Sequence, residues 1–164
     1  GPGEKRVSGI TYLKTDNGWP YVTVILDLWD RSVIGRAFSE DMEAGHVCDA
    51  LMTARTNREP KSGLLFHSDR GVQYCSKEFR AALSARRPQV GRSMSRKGNR
   101  RDNARAERFF KTLKAEADKV EGRHPKEEVR VEVCEYIEPY YNKRCRHSVL
   151  GYAIPIALTH YGTA

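Results

Sequence analysis

The residue order predicts an α/β domain on a five-stranded mixed sheet, three antiparallel strands followed by parallel ones, with helices on both faces. Three observations carry this expectation. Three β-branched and aromatic runs, divided by short turn signals, open the chain. At Asp41 the apolar spacing changes from alternation to a helical stripe. A short, wholly apolar run, Leu64-Leu65-Phe66, then follows, of the kind buried in a central parallel strand.

Val7 to Thr15 alternates and is rich in Ile, Thr and Tyr, Asp16-Asn17-Gly18 is a turn signal, and Tyr21 to Leu28 is a second such run. The two predict a hairpin. Asp30-Arg31 makes a short connection into the third strand, Ser32 to Phe38. Met42, Val47, Cys48, Leu51 and Met52 then share one helical stripe, with Ser39 as the expected N-cap. Ser76 is placed to cap a helix carrying Phe79, Ala82 and Leu83, and Gln89 to Met94 is the fifth strand. Arg96 to Arg101 forms a basic loop before a helix from Asn103 to Val120. Pro125 suits the first turn of a last helix, in which Val129, Val133, Ile137 and Tyr140-Tyr141 recur at helical spacing.

At 164 residues the chain is long enough for one domain with a proper core and too short for two of ordinary size. Gly1-Pro2-Gly3 reads as a cloning remnant, which leaves residues 4–164 as the domain. A start directly at a strand reads as a piece of a longer protein. Lys and Arg outnumber Asp and Glu by 29 to 21, and a pI near 9.5 makes a polyanion the first partner to consider. Cys48, Cys75, Cys134 and Cys145 include no C-x-x-C pair, which disfavours a zinc ribbon or a dense disulfide scaffold and favours reduced thiols. No apolar run approaches the roughly 18 to 20 residues that span a bilayer, and no signal peptide opens the chain.

Two carboxylates stand in settings that invite chemistry. Asp69 lies just beyond the buried strand, where open α/β sheets place functional groups. Gly71 permits a sharp turn there, and Gln73-Tyr74 supplies polar contacts. Glu107 lies in the first turns of a helix, opposite Phe110, Leu113 and Ala117, and at about 100° per residue Lys111 and Lys114 fall within roughly 40° of it. An acid that binds a divalent ion, bordered by lysines that bind phosphates, is a sensible way to hold a nucleic-acid strand over a metal. Each feature alone has a plainer reading. Glu107 with its lysines is then a solvated ion-pairing face, and Asp69 a turn residue.

The wider text carries a family resemblance. His67 to Tyr74, Ser93 to Asn99, Asp102-Asn103-Ala104, Glu107, Phe110, Tyr141 to Arg144, His147-Ser148, Leu150-Gly151-Tyr152 and Pro155, in that order, resemble the catalytic core of bacterial insertion-sequence transposases. The likeness is to the IS3 family, within the retroviral-integrase-like superfamily, and runs from Val7 to Tyr161. It implies an RNase H-like fold and a DDE site. In such a site three carboxylates hold two divalent ions, Mg²⁺ or Mn²⁺, for in-line attack of water or a 3′-hydroxyl on a DNA phosphodiester, giving strand cleavage and strand transfer. Asp69 corresponds to the second catalytic, metal-binding carboxylate and Glu107 to the third. The same resemblance implies DNA contacts at Arg96, Lys97, Asn103, Lys111, Lys114, Lys143 and Arg144, with Arg146 and His147 extending that edge. Its implied partners are transposon-end and target DNA, further copies of the chain assembled on that DNA, and an upstream DNA-binding domain in the full-length protein. The implied location is the bacterial cytoplasm, at the nucleoid.

One departure bears on activity. The pattern expects Asp immediately before Ile-Thr-Tyr on the first strand, and here the text is Ser8-Gly9-Ile10-Thr11-Tyr12. Without that carboxylate, two dications about 3.5 to 4 Å apart repel each other with little to neutralise them, so two-metal occupancy weakens. A turn centred on Asn17-Gly18 pairs Gly9 with residue 26 or 27, and directly opposed residues share a face. The second register brings Asp27 to the vacant position as a substitute; otherwise Asp27 fixes the Asp30-Arg31 turn. Asp69 and Glu107 are separated by 37 residues, two more than the family pattern, with the surplus expected around Arg86 to Arg92. Arg105 and Arg108 flank Glu107 and make the site more cationic than the family norm. Three functions are compatible with this text: a transposase catalytic domain disabled at one ligand, a binding-only RNase H-like module, and an RNase H-like nuclease.

Overall fold

The β-branched runs pair as three antiparallel strands, β1 (Lys5–Tyr12), β2 (Tyr21–Asp27) and β3 (Val33–Ser39). The computed structural model describes residues 1–85, 89–97, 103–117, 124–155 and 157. After the hairpins come α1 (Gly45–Asn57), β4 (Leu65–Ser68), the short α2 (Val72–Cys75), α3 (Lys77–Ser84), β5 (Gly91–Met94), α4 (Ala104–Ala117) and α5 (Lys126–Glu135). The sheet order is β3-β2-β1-β4-β5, with β4 parallel to β1 and β5 parallel to β4. This is the expected five-stranded mixed sheet.

Alternation along the strands divides the core in two. Val7, Val22, Val24 and Leu26 face α4 and α5, where they meet Ala106, Phe109, Phe110, Leu113, Val129 and Val133. Ile25 and Phe66 face the other way, against Val47 and Leu51 of α1 and Phe79 and Leu83 of α3. Gly35 lets α1 lie directly on β3, since a Cβ there would stand 2.3 Å from the Ala50 carbonyl oxygen.

The hairpin register differs from expectation. Tyr12 faces Tyr21 and Gly9 faces Val24, not residue 26 or 27. The cause is the turn: Thr15 bridges Gly18, its hydroxyl donating to the Gly18 carbonyl at 2.6 Å, so Asp16-Asn17 forms the centre. Asp27 stands opposite Arg6 and, by alternation, on the other face of the sheet from Gly9. The substitution of Asp27 for the missing ligand is therefore overturned. Its carboxylate is buried, 2.9 Å from Arg58 Nη1, and accepts from the Gly3 and Trp29 backbone N–H groups at 2.7 and 3.0 Å. Arg58 also reaches Asp30 at 2.7 Å. Burial pushes the Arg6 guanidinium down to about 10, with Asp27 opposing that shift.

Two boundaries also moved. Ser39 caps no helix; its hydroxyl exchanges hydrogen bonds with Asp41 in a local turn, and α1 begins only at Gly45. The last helix is α5 followed by a wide π turn, Tyr136–Tyr141, around Pro139, which has no N–H to continue an α ladder. Gly3 is buried, its N–H held by Asp27 and its carbonyl by the Lys61 N–H at 3.1 Å. The expected surplus at Arg86, the loop from Gly98 to Arg101, Asp102, the helix end toward Val120, and Tyr161 lie outside the described residues.

Candidate active site

The parallel register pairs Lys5 with Leu65, Arg6 with Phe66 and Val7 with His67, so two residues further on Gly9 comes alongside Asp69. Asp69 is half-buried, and its Oδ1 accepts from the Gly71 N–H at 2.8 Å. Ser8, the residue before Gly9, ties the two acidic segments together. Its hydroxyl donates to the Val24 carbonyl at 2.9 Å and lies 2.7 Å from the Tyr74 hydroxyl, which therefore donates to it. Its carbonyl accepts from Asn103 Nδ2 at 3.2 Å, which fixes the start of α4.

These bonds revise three sequence readings. Asn103 is only 4% exposed, so it positions α4 and offers no surface to DNA. Tyr74 and Gln73 are buried as well; Tyr74 reaches Ser8, and Gln73 donates to the Met42 carbonyl at 2.8 Å. Burial pushes the Tyr74 hydroxyl well above its ordinary value, so it remains a neutral donor. His67 lies between Ser93 Oγ at 2.9 Å and Ser95 Oγ at 3.3 Å, and Arg70 donates to the Ser95 carbonyl at 2.7 Å. Arg96 and Lys97, both exposed, thus leave the sheet beside the Asp69 turn.

Helix α4 has three faces. Ala106, Phe109, Phe110 and Leu113 are buried against the sheet. Glu107, Lys111 and Lys114 follow one flank, as their spacing predicts, with Lys114 Nζ 5.0 Å from the Tyr12 ring centre. Arg105 and Arg108 follow the opposite flank and line a separate cleft with Tyr141 and His147. At about 100° per residue they point roughly 160° and 100° from Glu107, toward that cleft. Asn142 holds its segment against β3, with two hydrogen bonds of 2.9 Å to the Val33 backbone. Lys143 and Arg144, exposed there, are two strands to the side of β1 and are not brought together with Asp69 and Glu107.

Sequence reading missed an aromatic patch bordering Glu107's flank. Tyr12 and Trp19 are 49% and 54% exposed, with ring centres 5.3 Å apart. Lys14 Nζ lies 5.9 Å over the Trp19 ring, and Lys114 covers Tyr12. The signal was present in the sequence: Tyr12 and Trp19 flank the hairpin turn with Lys14 between them.

The vacant position itself is closed. A Cβ on Gly9 would stand 2.8 Å from Phe110 Cε2 and 3.0 Å from Ala106 Cβ, so the Phe110 ring occupies the space into which a side chain at position 9 would project. Among the described residues, no three His, Cys, Asp or Glu side chains converge to hold a metal ion. An aromatic ring supplies no metal ligand, so this corner adds no donor to Asp69 and Glu107.

Comparison with known proteins places the chain. A family model described as integrase core domain matches residues 1–100, and a second of the same description matches residues 89–155. The chain belongs to the integrase core domain family. Transposase InsF for insertion sequence IS3A of Escherichia coli is 44% identical over 153 residues, 92% of this chain and 52% of that protein. The transposase for insertion sequence element IS904 of Lactococcus lactis is 36% identical over 164 residues, 99% of this chain and 63% of that protein. The chain is thus an integrase core of the IS3 transposase type, and it spans about half to two thirds of the length of these curated relatives. Among solved structures, the simian T-cell lymphotropic virus intasome matches with a TM-score of 0.78 at 18% identity, over 97% of this chain and 55% of that one. The HTLV-2 integrase catalytic core domain in complex with magnesium matches with a TM-score of 0.70 at 14% identity, over 94% of both chains. The integrase core therefore has the RNase H-like fold that the sequence resemblance implied. No helix among the described residues is long and apolar enough to cross a membrane.

Proposed function

We propose that this integrase core is the catalytic domain of an IS3-type transposase, a domain for metal-dependent DNA cleavage and strand transfer, in a form that docks DNA but lacks the first metal ligand. The observation that carries the reading is the Phe110 ring over Gly9, at the point where β1 passes between the segments bearing Asp69 and Glu107. Several features support the DNA-docking half. The net charge is +8. Arg96 and Lys97 flank the Asp69 turn, and Lys111 and Lys114 continue the Glu107 flank. The Tyr12-Trp19 patch next to them suits stacking of unpaired bases at a strand end.

In this reading Asp69 and Glu107 are the surviving second and third carboxylates, and Mg²⁺ or Mn²⁺ binding is weakened because like charges in the ion pair lack their shared anion. The transposon ends and the target are the DNA partners, with further copies of the chain and an upstream DNA-binding domain completing the assembly. Nicking of a transposon-end duplex in Mn²⁺ tests the reading. The unaltered chain should bind the duplex with a steep salt dependence and leave it uncut, and Gly9→Asp, combined with Phe110→Leu to make room, should restore cutting. Efficient cutting by the unaltered chain, or no binding at low salt, would refute it. The binding-only module is the second reading; it is favoured if DNA binding persists and the double variant, folded and metal-loaded, still leaves the duplex intact.

A further inference from the structure

The cleft on the far flank of α4 is a second cationic site. It has a volume of about 260 Å³ and is lined by Arg31, Arg105, Arg108, Arg146 and His147 around the Tyr141 ring, with no carboxylate among its lining residues. Among the described residues, none of these arginines makes an ion pair with an acid. Two nitrogens on its lining residues, Arg31 Nε and His147 Nε2, are buried and have no hydrogen-bond partner among the described residues. Buried polar groups are ordinarily paired, so two orphans on residues that line one cleft mark an unmet demand for a partner there. Arg31 is also held in the left-handed backbone region, φ 66°, which a side chain rarely adopts and which recurs where a residue is clamped toward a ligand.

The electrostatics agree. Burial and the nearby charges of Arg105 and Arg108 push the Arg31 guanidinium down, and burial and Arg31 push the His147 imidazole down. A cluster of like charges with no internal counterion is relieved by an anion that brings several acceptor oxygens. A phosphate suits this chemistry, since its oxygens can accept from more than one guanidinium at once.

We propose that this cleft is a second phosphate-binding site, which takes a backbone phosphodiester of DNA on the flank of α4 turned away from Glu107. The choice of DNA as the source rests on the function proposed above; the anion chemistry of the cleft does not. Around α4, Arg108 points about 100° and Arg105 about 160° away from Glu107, so the cleft takes phosphates off the path that runs along Glu107, Lys111 and Lys114.

Two measurements on the whole chain test this, with Arg108→Gln/Arg146→Gln as the variant. Both arginines are exposed, so the fold is expected to survive, and its melting curve checks that it does. Lys77→Gln, an exposed change on α3, is the control for simple loss of charge. In the first, inorganic phosphate is titrated and followed by NMR: the His147 ring resonances should shift and saturate in the unaltered chain and remain still in the double variant. In the second, duplex binding is followed against salt: the double variant should lose about one to two units of log–log slope, roughly 0.9 per phosphate contact, equally for any sequence, and Lys77→Gln should not. Phosphate saturation with an unchanged DNA slope overturns DNA as the source. No saturation, with the DNA slope unchanged, overturns the site. An unaltered chain that takes phosphate but binds no DNA at low salt refutes the proposed function and, with it, the DNA assignment of this cleft.

Discussion

The Phe110 ring closes over Gly9: its Cε2 lies 2.8 Å from the point where a Cβ on residue 9 would stand. Position 9 faces α4 at the level of Glu107's turn, alongside Asp69, and on the function proposed above one aromatic ring fills the corner of the missing acid. The consequence is mechanical as well as chemical. A carboxylate cannot be returned to this corner without moving the ring.

Gly9→Asp alone should accordingly destabilise the fold by roughly 1–3 kcal/mol, the usual range for overpacking. Phe110→Leu added to it should recover part of that loss. Urea unfolding of the two variants beside the unaltered chain measures both steps, and a Gly9→Asp variant as stable as the parent would show that the ring moves freely.

Asp27 belongs to a buried charge network and not to the site. Replacing it with Ala leaves Arg58 and Arg6 with one carboxylate fewer in a dry setting, a change that typically costs about 3–5 kcal/mol. Divalent-ion affinity, measured by calorimetry on the protein that remains folded, should not change. A fall in metal affinity would restore Asp27 as a ligand and contradict the register.

Asp30 gives the pH dependence a sign. Burial pushes its carboxyl up, and hydrogen bonds from Arg58 and Ser32 outweigh that and leave it below the ordinary value. The folded value is thus below the unfolded one, so between the two the unfolded chain binds more protons, and stability is present above the ordinary value and lost as the pH falls through the folded one. The stability gap between the parent and Asp30→Asn should be constant near neutrality and narrow below about pH 4. A gap that widens in acid would reverse the assignment.

Trp19 is exposed, with its ring beside Tyr12 and Lys14, so Trp19→Ala should leave the fold intact. It should weaken binding of a duplex with a single-stranded overhang by about 1–3 kcal/mol, the value of one base–aromatic stack, and leave a blunt duplex almost unaffected. Equal losses on both would assign the patch to duplex backbone contact instead.

What was legible in the sequence was whatever repeats with a period. The alternation in β1 and β2, and the stripe Ala106, Phe109, Phe110, Leu113 against the flank Glu107, Lys111, Lys114, gave element order, sheet type and the acid-bearing surface. Register was not legible, because it hangs on one hydrogen bond: Thr15 to Gly18 moves the centre of the turn and puts Asp27 on the wrong face. Ser39 and Asn103 failed for a related reason. Short polar side chains bond whatever backbone is near, and only the folded chain shows that Ser39 chooses Asp41 and Asn103 chooses the Ser8 carbonyl. The arginine flank could have been read, since the helical arithmetic that joins Lys111 to Glu107 also sends Arg105 and Arg108 away from it.

Calorimetric titration of Mn²⁺ into the chain and into Gly9→Asp/Phe110→Leu decides whether the absent carboxylate limits metal binding. The chain should take up at most one ion weakly, and the double variant two ions, about tenfold or more tighter, a gain of at least about 1.4 kcal/mol from the returned carboxylate. Two ions bound by the unaltered chain as tightly as by the variant would contradict it.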